Sequence, residues 1–472
     1  MSLRLPKYGL RRRDLQSTRK RARLHALLWF LLLSLALVAV ALAVLQSRIT
    51  GVTALVIEML IVAALFVGGR ALLVRTSPPK IPIVNYHSVS SAPGWLPHGN
   101  DISISPRQFE SHLAYLKRRG YTSLFLGEVH DMIAGREPMD SNGRYVALTF
   151  DDGYADNWVA AFPLLKKYDM KGTFFVSTDF VGDDGTQRRT LEDVWNGEIP
   201  GEEDLDWEGY LTWDEMREME RSGLAQIEAH SEQHTRVFCD GEIIDFNSPA
   251  MTNLWMYWDE HRDLKPAWWK QDESTETGLW GSPVYRQAPA LASRAFVPAP
   301  EIAACARRAV AEQGPAFFDR PDWPDALSAK VRTQTGNGGA KGRRETEEDY
   351  RRRVEEELGG CKRILEDRLN KEIRFMCWPE DAFSAIGEES ARKLGYAATV
   401  SNLHDGTNSV GDSPARLARV AVGSHAAGFP CRVCDFLLFV FSIKIFEGRY
   451  YCYAFLLVLT LIRTAVSAIR RE

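Results

Sequence analysis

Residues Tyr145–Phe150 read YVALTF, and Asp151, Asp152 and Gly153 follow directly. A continuous apolar run this short fits a strand covered on both faces, as in a parallel sheet. The surrounding chain keeps the same rhythm. Ile81–His87 (IPIVNYH), Gly172–Ser177 (GTFFVS), Leu224–Ser231, Ile373–Trp378 and Ala397–Ser401 read as further strands. Ser105–Arg119, with Phe109, Leu113 and Leu116 on one face, reads as an amphipathic helix, and Asp156–Tyr168, Leu211–Ser222, Glu345–Leu369 and Ile386–Leu394 read as helices too. Strands alternating with helices predict a parallel α/β sheet or barrel, whose chemistry sits at the carboxyl ends of the strands. His87, Asp151, Asp152 and His230 all stand at such ends.

Apolar segments flank this region. Ala26–Leu45 is twenty residues without a charge, roughly 30 Å of helix and so the thickness of a bilayer core. Val52–Val74 is a second apolar stretch, interrupted by Glu58 and Arg70. Together they predict a transmembrane hairpin over residues 26–75, preceded by a basic tail, residues 1–25. The tail's RRRDLQSTRKRAR places it in the cytoplasm by the positive-inside rule. Arg70 near the end of the second stretch, with Arg75 and Lys80 after it, favours a return of the main domain to the cytoplasmic side of a multi-pass membrane protein. Residues 431–472 are apolar again, in two pieces too short for ordinary spans, and predict a membrane-associated segment.

The domain over residues 81–430 carries 39 Lys/Arg against 57 acidic residues, which disfavours nucleic acid as a partner. Seven irregularly spaced cysteines make no disulfide framework, and Cys431–Cys434 is a CxxC without a second half. Residues 236–344 break the strand–helix rhythm and read as an insertion. It holds Trp255, Trp258, Trp268, Trp269 and Trp280, a composition suited either to stacking on sugar rings or to packing a small core.

A second short piece, Glu228–Arg236, reads EAHSEQHTR. His230 and His234 stand four apart, so one helical turn after the strand would put both imidazoles on one face. Imidazoles with a carboxylate are the donor set of a zinc-like ion. One aspartate of the pair would bind that cation and the other would stay free beside it as a base.

Thr149–Gly153 (TFDDG) and His230–His234 (HSEQH), with Lys171–Val176 and the opening Asn85–Val89 (NYHSV), resemble the NodB-homology polysaccharide deacetylases, carbohydrate esterase family 4. The opening is similar to the branch that deacetylates poly-N-acetylglucosamine. The resemblance covers residues 81–422, apart from the insertion. It implies an α/β fold of the distorted (β/α) barrel type, here with membrane helices at both ends, and a mononuclear divalent metal, usually zinc. It also implies that Asp152, His230 and His234 bind the metal, that Asp151 is the general base and that His87 is the general acid. The backbone N–H of Tyr154 is a candidate oxyanion donor beside the metal. One motif departs from the family: Phe375–Phe383 reads FMCWPEDAF, with Glu380–Asp381 where a Tyr-Gly pair is usual.

The expected activity is metal-dependent removal of an N-acyl group, acetyl above all, from an amino sugar in a polysaccharide or a lipid-linked glycan. The alternative is a non-catalytic, membrane-anchored glycan-binding or assembly protein on a decayed deacetylase scaffold. An O-acyl esterase would keep the same residues.

Overall fold

The computed structural model describes residues 79–469, apart from 97–98, 183–184, 186, 251–252, 271–276, 336–340, 405, 424–428, 430 and 450–451. The basic tail and the two apolar runs expected to form a hairpin lie outside the described residues. Among the described residues no helix is long and apolar enough to cross a membrane.

Seven parallel strands close into a barrel. They are β1 (Ile83–Tyr86), β2 (Tyr145–Phe150), β3 (Gly172–Val176), β4 (Ala225–Ala229), β5 (Phe375–Cys377), β6 (Ala398–Ser401) and β7 (Arg416–Ala421). Closure is made by β1, which pairs with β2 (Ile83 opposite Ala147) and with β7 (Ile83 opposite Arg419). The seam between β4 and β5 is thin, with Met376 opposite Ala229 as its registered pair. That distortion falls where the insertion leaves the barrel.

Side chains alternate across each strand, and the barrel as a whole feeds two apolar layers. Ile83, Ala147, Phe175, Phe375, Cys377, Val400 and Leu417 share one buried cluster with Leu126, Val129 and Ile133 of the helix Leu126–Ile133. Val84, Tyr86, Val146, Leu148, Phe150, Phe174 and Ile227 lie in the other, against the surrounding helices. The helix Pro106–Arg118 supplies Phe109, Leu113 and Leu116 to it, and Ser105 caps its N-terminus by accepting from the Gln108 N–H.

Two features depart from the expected elements. The helix after β2 starts as a π-helical turn, Asn157–Ala161, before becoming α-helical at Phe162–Tyr168. Such a widened turn often marks a functional site. The helix Arg432–Phe446, in the segment expected to meet membrane, packs on the barrel's helical layer. Phe439 stacks on His112 with ring centroids 3.9 Å apart, and Phe439, Val440 and Ile443 are buried there.

The insertion has its own framework. Arg236–Phe246 pairs antiparallel with Pro283–Pro289, and Ile302, Ala306, Val310, Phe317, Leu327 and Val331 fill a separate small core.

Candidate active site

Adjacent residues on a strand point to opposite faces, so two neighbouring aspartates cannot normally serve one site. Here the chain leaves β2 and turns left-handed at Asp152 (φ 73°) and Gly153 (φ 70°). The turn breaks the alternation, and both carboxylates reach His230. Gly153 is required on two counts: its positive φ, and the Val176 side chain 3.1 Å from where a Cβ would sit.

His230 and His234 do converge, but by another route than the expected helical turn. Ser231 (φ 71°) and His234 (φ 47°) are left-handed, and residues 230–235 form no helix. Side-chain acceptors take up the backbone donors instead. Ser231 Oγ accepts from the His234 N–H (3.1 Å), and Glu357 accepts from the Gln233 N–H (2.6 Å). Local backbone strain of this kind persists where the surroundings hold it in place.

The outcome is a compact donor set. Asp152 Oδ1 lies 3.2 Å from His230 Nε2 and 3.3 Å from His234 Nε2. Four donors around a zinc-like ion at 2.0–2.1 Å are separated by about 3.3–3.4 Å in a tetrahedron, so the spacing suits such an ion. His230 Nδ1 is 3.0 Å from the Cys377 carbonyl oxygen, which can only accept. Nδ1 therefore carries a proton in either charge state: a protonated ring donates from Nε2 to Asp152, and a neutral one would offer its Nε2 lone pair to an ion. Burial alone would raise the Asp152 carboxyl, but His230 and His234, hydrogen-bonded to it, hold it well below the usual range. Burial likewise lowers His234, and Asp152 more than reverses this. The Tyr154 phenol also hydrogen-bonds to Asp152; burial and that carboxylate push it well above the usual value.

Asp151 is not free, contrary to the sequence reading. Arg419 Nη1 of β7 lies 2.7 Å from its Oδ1, and both side chains are buried. Arg419 also reaches Asn85 Oδ1 (3.2 Å) and Asp381 Oδ1 (3.3 Å), while Asn402 donates twice to Asp381 at 2.7 Å. The departure at Glu380–Asp381 thereby gains a physical account. Asp381 (φ 58°) balances Arg419, and Glu380 (φ 52°) pairs with Arg236 of the insertion. Burial raises the Asp151 carboxyl, but Arg419 foremost, then His230 and His87, bring it below the ordinary value. His87 Nε2 stands 3.9 Å from Asp151 Oδ2 and is a quarter exposed, at the mouth. Sequence reasoning assigned Arg419 no role; its position two strands from Asp151, across β1, was the missing information.

The insertion closes over one side. Trp258, Trp268 and Trp269 pack with Trp95 around Tyr154, Phe180 and Tyr210, beside the donor set. Trp255 instead packs on Phe238, and Trp280 on Phe318. Lys265, fully buried, bonds to Asp179 (3.2 Å) and to the Gln233 carbonyl (3.0 Å), and Arg262 bonds to Asp179 and Glu232. The insertion is thus fastened to the His230–His234 loop.

Residues 139–262 match the family model described as polysaccharide deacetylase. The chain carries a polysaccharide deacetylase domain of the NodB type. Over 158 residues the chain is 32% identical to YxkH of Bacillus subtilis (strain 168), which bears a polysaccharide deacetylase name, covering 33% of this chain and 44% of that protein. It is 24% identical over 130 residues to the poly-beta-1,6-N-acetyl-D-glucosamine N-deacetylase of Escherichia coli (strain K12), covering 28% of this chain and 18% of that one. The chain therefore spans less than half the length of these curated relatives. Among solved structures, the deacetylase domain of BpsB from Bordetella bronchiseptica aligns with a TM-score of 0.46 at 18% identity, over 73% of this chain and 98% of that one. The donor set and the Asp151–His87 pair all lie at the carboxyl end of the deacetylase domain's barrel.

Proposed function

We propose that this domain hydrolyses the N-acetyl group of an amino sugar, with a polysaccharide or lipid-linked glycan as substrate. Asp152, His230 and His234 would hold a divalent ion, zinc by the nature of the donors. The observation that carries the reading is the convergence of two imidazole nitrogens on one carboxylate oxygen, with a second, Arg-paired carboxylate alongside. A divalent ion there supplies Lewis acidity to the acetyl oxygen and to a water.

The chain's own residues do the proton work. Asp151, kept ionised by Arg419, takes a proton from the attacking water through Oδ2, the oxygen nearer His87. The backbone bridge between Tyr154 and Tyr210 uses the Gly153 carbonyl and the Ala155 N–H, not the Tyr154 N–H, which is the candidate donor to the oxygen gaining charge. His87, protonated, gives its proton to the amide nitrogen as the C–N bond breaks. Acetate and an amine result, and the amine's positive charge suits an acidic domain.

The apolar runs Ala26–Leu45 and Val52–Val74 would tether the domain to a membrane. The test is to incubate the full chain with N-acetylglucosamine oligomers, with zinc and after chelation, and to assay free acetate. Zinc-dependent acetate supports the reading. Acetate release equal in the chelated protein contradicts the metal assignment, and none under either condition contradicts the activity.

A further inference from the structure

The described chain begins, and its last helix starts, at the end of the barrel opposite the site. The chain comes in at Pro79 and Lys80, where the Pro79 carbonyl accepts from Ser409 and the Ile81 N–H donates to the Asn408 carbonyl. The turn after Arg432–Phe446 arrives at the same place. A Cβ on Gly448 would lie 3.4 Å from Lys80 Nζ, and Glu447 accepts from the hydroxyl of Tyr121. Tyr121 precedes Thr122–Ser123, which pairs with the first residues of β2. These are amino-terminal strand ends, whereas His87, Asp151 and His230 follow carboxyl ends. At about 3.3 Å per residue, His87 is roughly 20 Å along the first strand from Ile81.

Three observations say what covers this end. In sequence, the second apolar run ends at Val74, five residues before Pro79. The helix Tyr453–Ile469 starts from the same turn and exposes Phe455 (51%), Val458 (53%) and Leu461 (61%), three residues apart along one face. In an otherwise acidic domain, Arg118, Arg119 and Arg144 are exposed at this end, with Arg144 bonded to the Arg119 carbonyl. Apolar side chains beside exposed cations are what an anionic lipid surface binds.

We infer that the amino-terminal end of the barrel and the Phe455–Val458–Leu461 face rest on an anionic phospholipid bilayer, so that the site opens away from it. The inference rests on the membrane tether proposed above. It deepens the substrate assignment: a site set back from the lipid by the length of the tilted barrel strands admits a glycan chain standing off the surface in preference to a sugar joined directly to a lipid headgroup.

The test uses the full chain in phosphatidylcholine–phosphatidylglycerol vesicles, with the partly exposed Cys239, Cys305, Cys431 and Cys434 replaced by serine. A bimane label is placed singly at Val458→Cys, Leu461→Cys or Ile244→Cys, the last exposed on the insertion. Brominated lipid should quench most of the fluorescence at Val458→Cys and Leu461→Cys and leave Ile244→Cys bright. Equal quenching at Ile244→Cys overturns the orientation. Vesicles that carry the protein, but with Leu461→Cys unquenched, overturn the inference and leave the tether standing. Protein that does not float with vesicles at all contradicts the tether itself. Disulfide-linked dimers through Leu461→Cys without quenching would assign the face to a second copy and equally overturn it.

Discussion

Arg419 Nη1 lies 2.7 Å from Asp151 Oδ1 with both side chains out of water, so the carboxylate proposed above as the general base is built as half of a buried ion pair. Removing one partner strands the other's charge, at a cost of about 3–5 kcal/mol. Arg419→Met should therefore destabilise the domain by that order and nearly abolish turnover. Arg419→Met combined with Asp151→Asn should recover a good part of the lost stability but no activity. Urea unfolding of the two single variants and the double variant measures this; additive losses would show that the pair is not coupled.

His87 stands at the mouth, 3.9 Å from Asp151, and its ring is a quarter exposed. Loss of a general acid typically costs about 10²–10⁴ in rate. His87→Gln should lower kcat by that factor for an N-acetylated sugar with KM and melting temperature little changed. If kcat falls less than about tenfold, another group delivers the proton.

Asp156 is fully buried, accepting from Ser88 (2.6 Å), the Val89 N–H (3.0 Å) and Asn157 (2.9 Å), and Asn157 also donates to the His87 carbonyl. Burial pushes its carboxyl from 3.8 up to about 6 despite those bonds. The native state thus holds a proton between these values that the unfolded chain has released. The associated stability is complete below about pH 4 and is lost as pH rises through about 6. Asp156→Asn, which Ser88 can meet by reversing its hydroxyl, removes that loss. The variant's stability relative to the parent should rise by about 2–3 kcal/mol between pH 4 and pH 7. Denaturation curves at a series of pH values would show a constant difference if Asp156 does not titrate there.

Lys265 couples the insertion to the loop bearing His234 through the Gln233 carbonyl and Asp179. Outer partners of this kind tune metal affinity about 10–100-fold. Lys265→Met should weaken zinc affinity on that scale, read by competition with a chromophoric chelator, whereas Lys265→Arg should restore much of it. Unchanged affinity in Lys265→Met would reduce the insertion to a cover.

The strand–helix alternation was legible because buried parallel strands are mostly apolar on both faces, and Tyr145–Phe150 and Gly172–Val176 follow that rule, whereas Ala225–Ala229 carries Gln226 and Glu228 on one face. Asp151, Asp152, His230, His234 and His87 were legible as a set because they sit at strand ends, where the barrel gathers them whatever the details. The manner of convergence was not. A four-residue spacing suggests a helix, but Ser231 and Glu357 offered the backbone better partners, and Glu357 comes from a helix more than a hundred residues away. Arg419 was hidden for a similar reason. Nothing local to Leu417–Val420 says that closing the barrel puts β7 next to β1 and its guanidinium on Asp151. The Glu380–Asp381 pair looked anomalous until Arg236 and Arg419 supplied its counter-charges.

The most direct measurement is metal content taken together with acetate release on the full chain and on Asp152→Ala and His234→Ala, each checked for native folding by circular dichroism. About one zinc per chain and zinc-dependent acetate from N-acetylglucosamine oligomers are expected of the parent, and neither of the two variants. Acetate released at the parental rate by Asp152→Ala freed of metal would contradict the account at its centre.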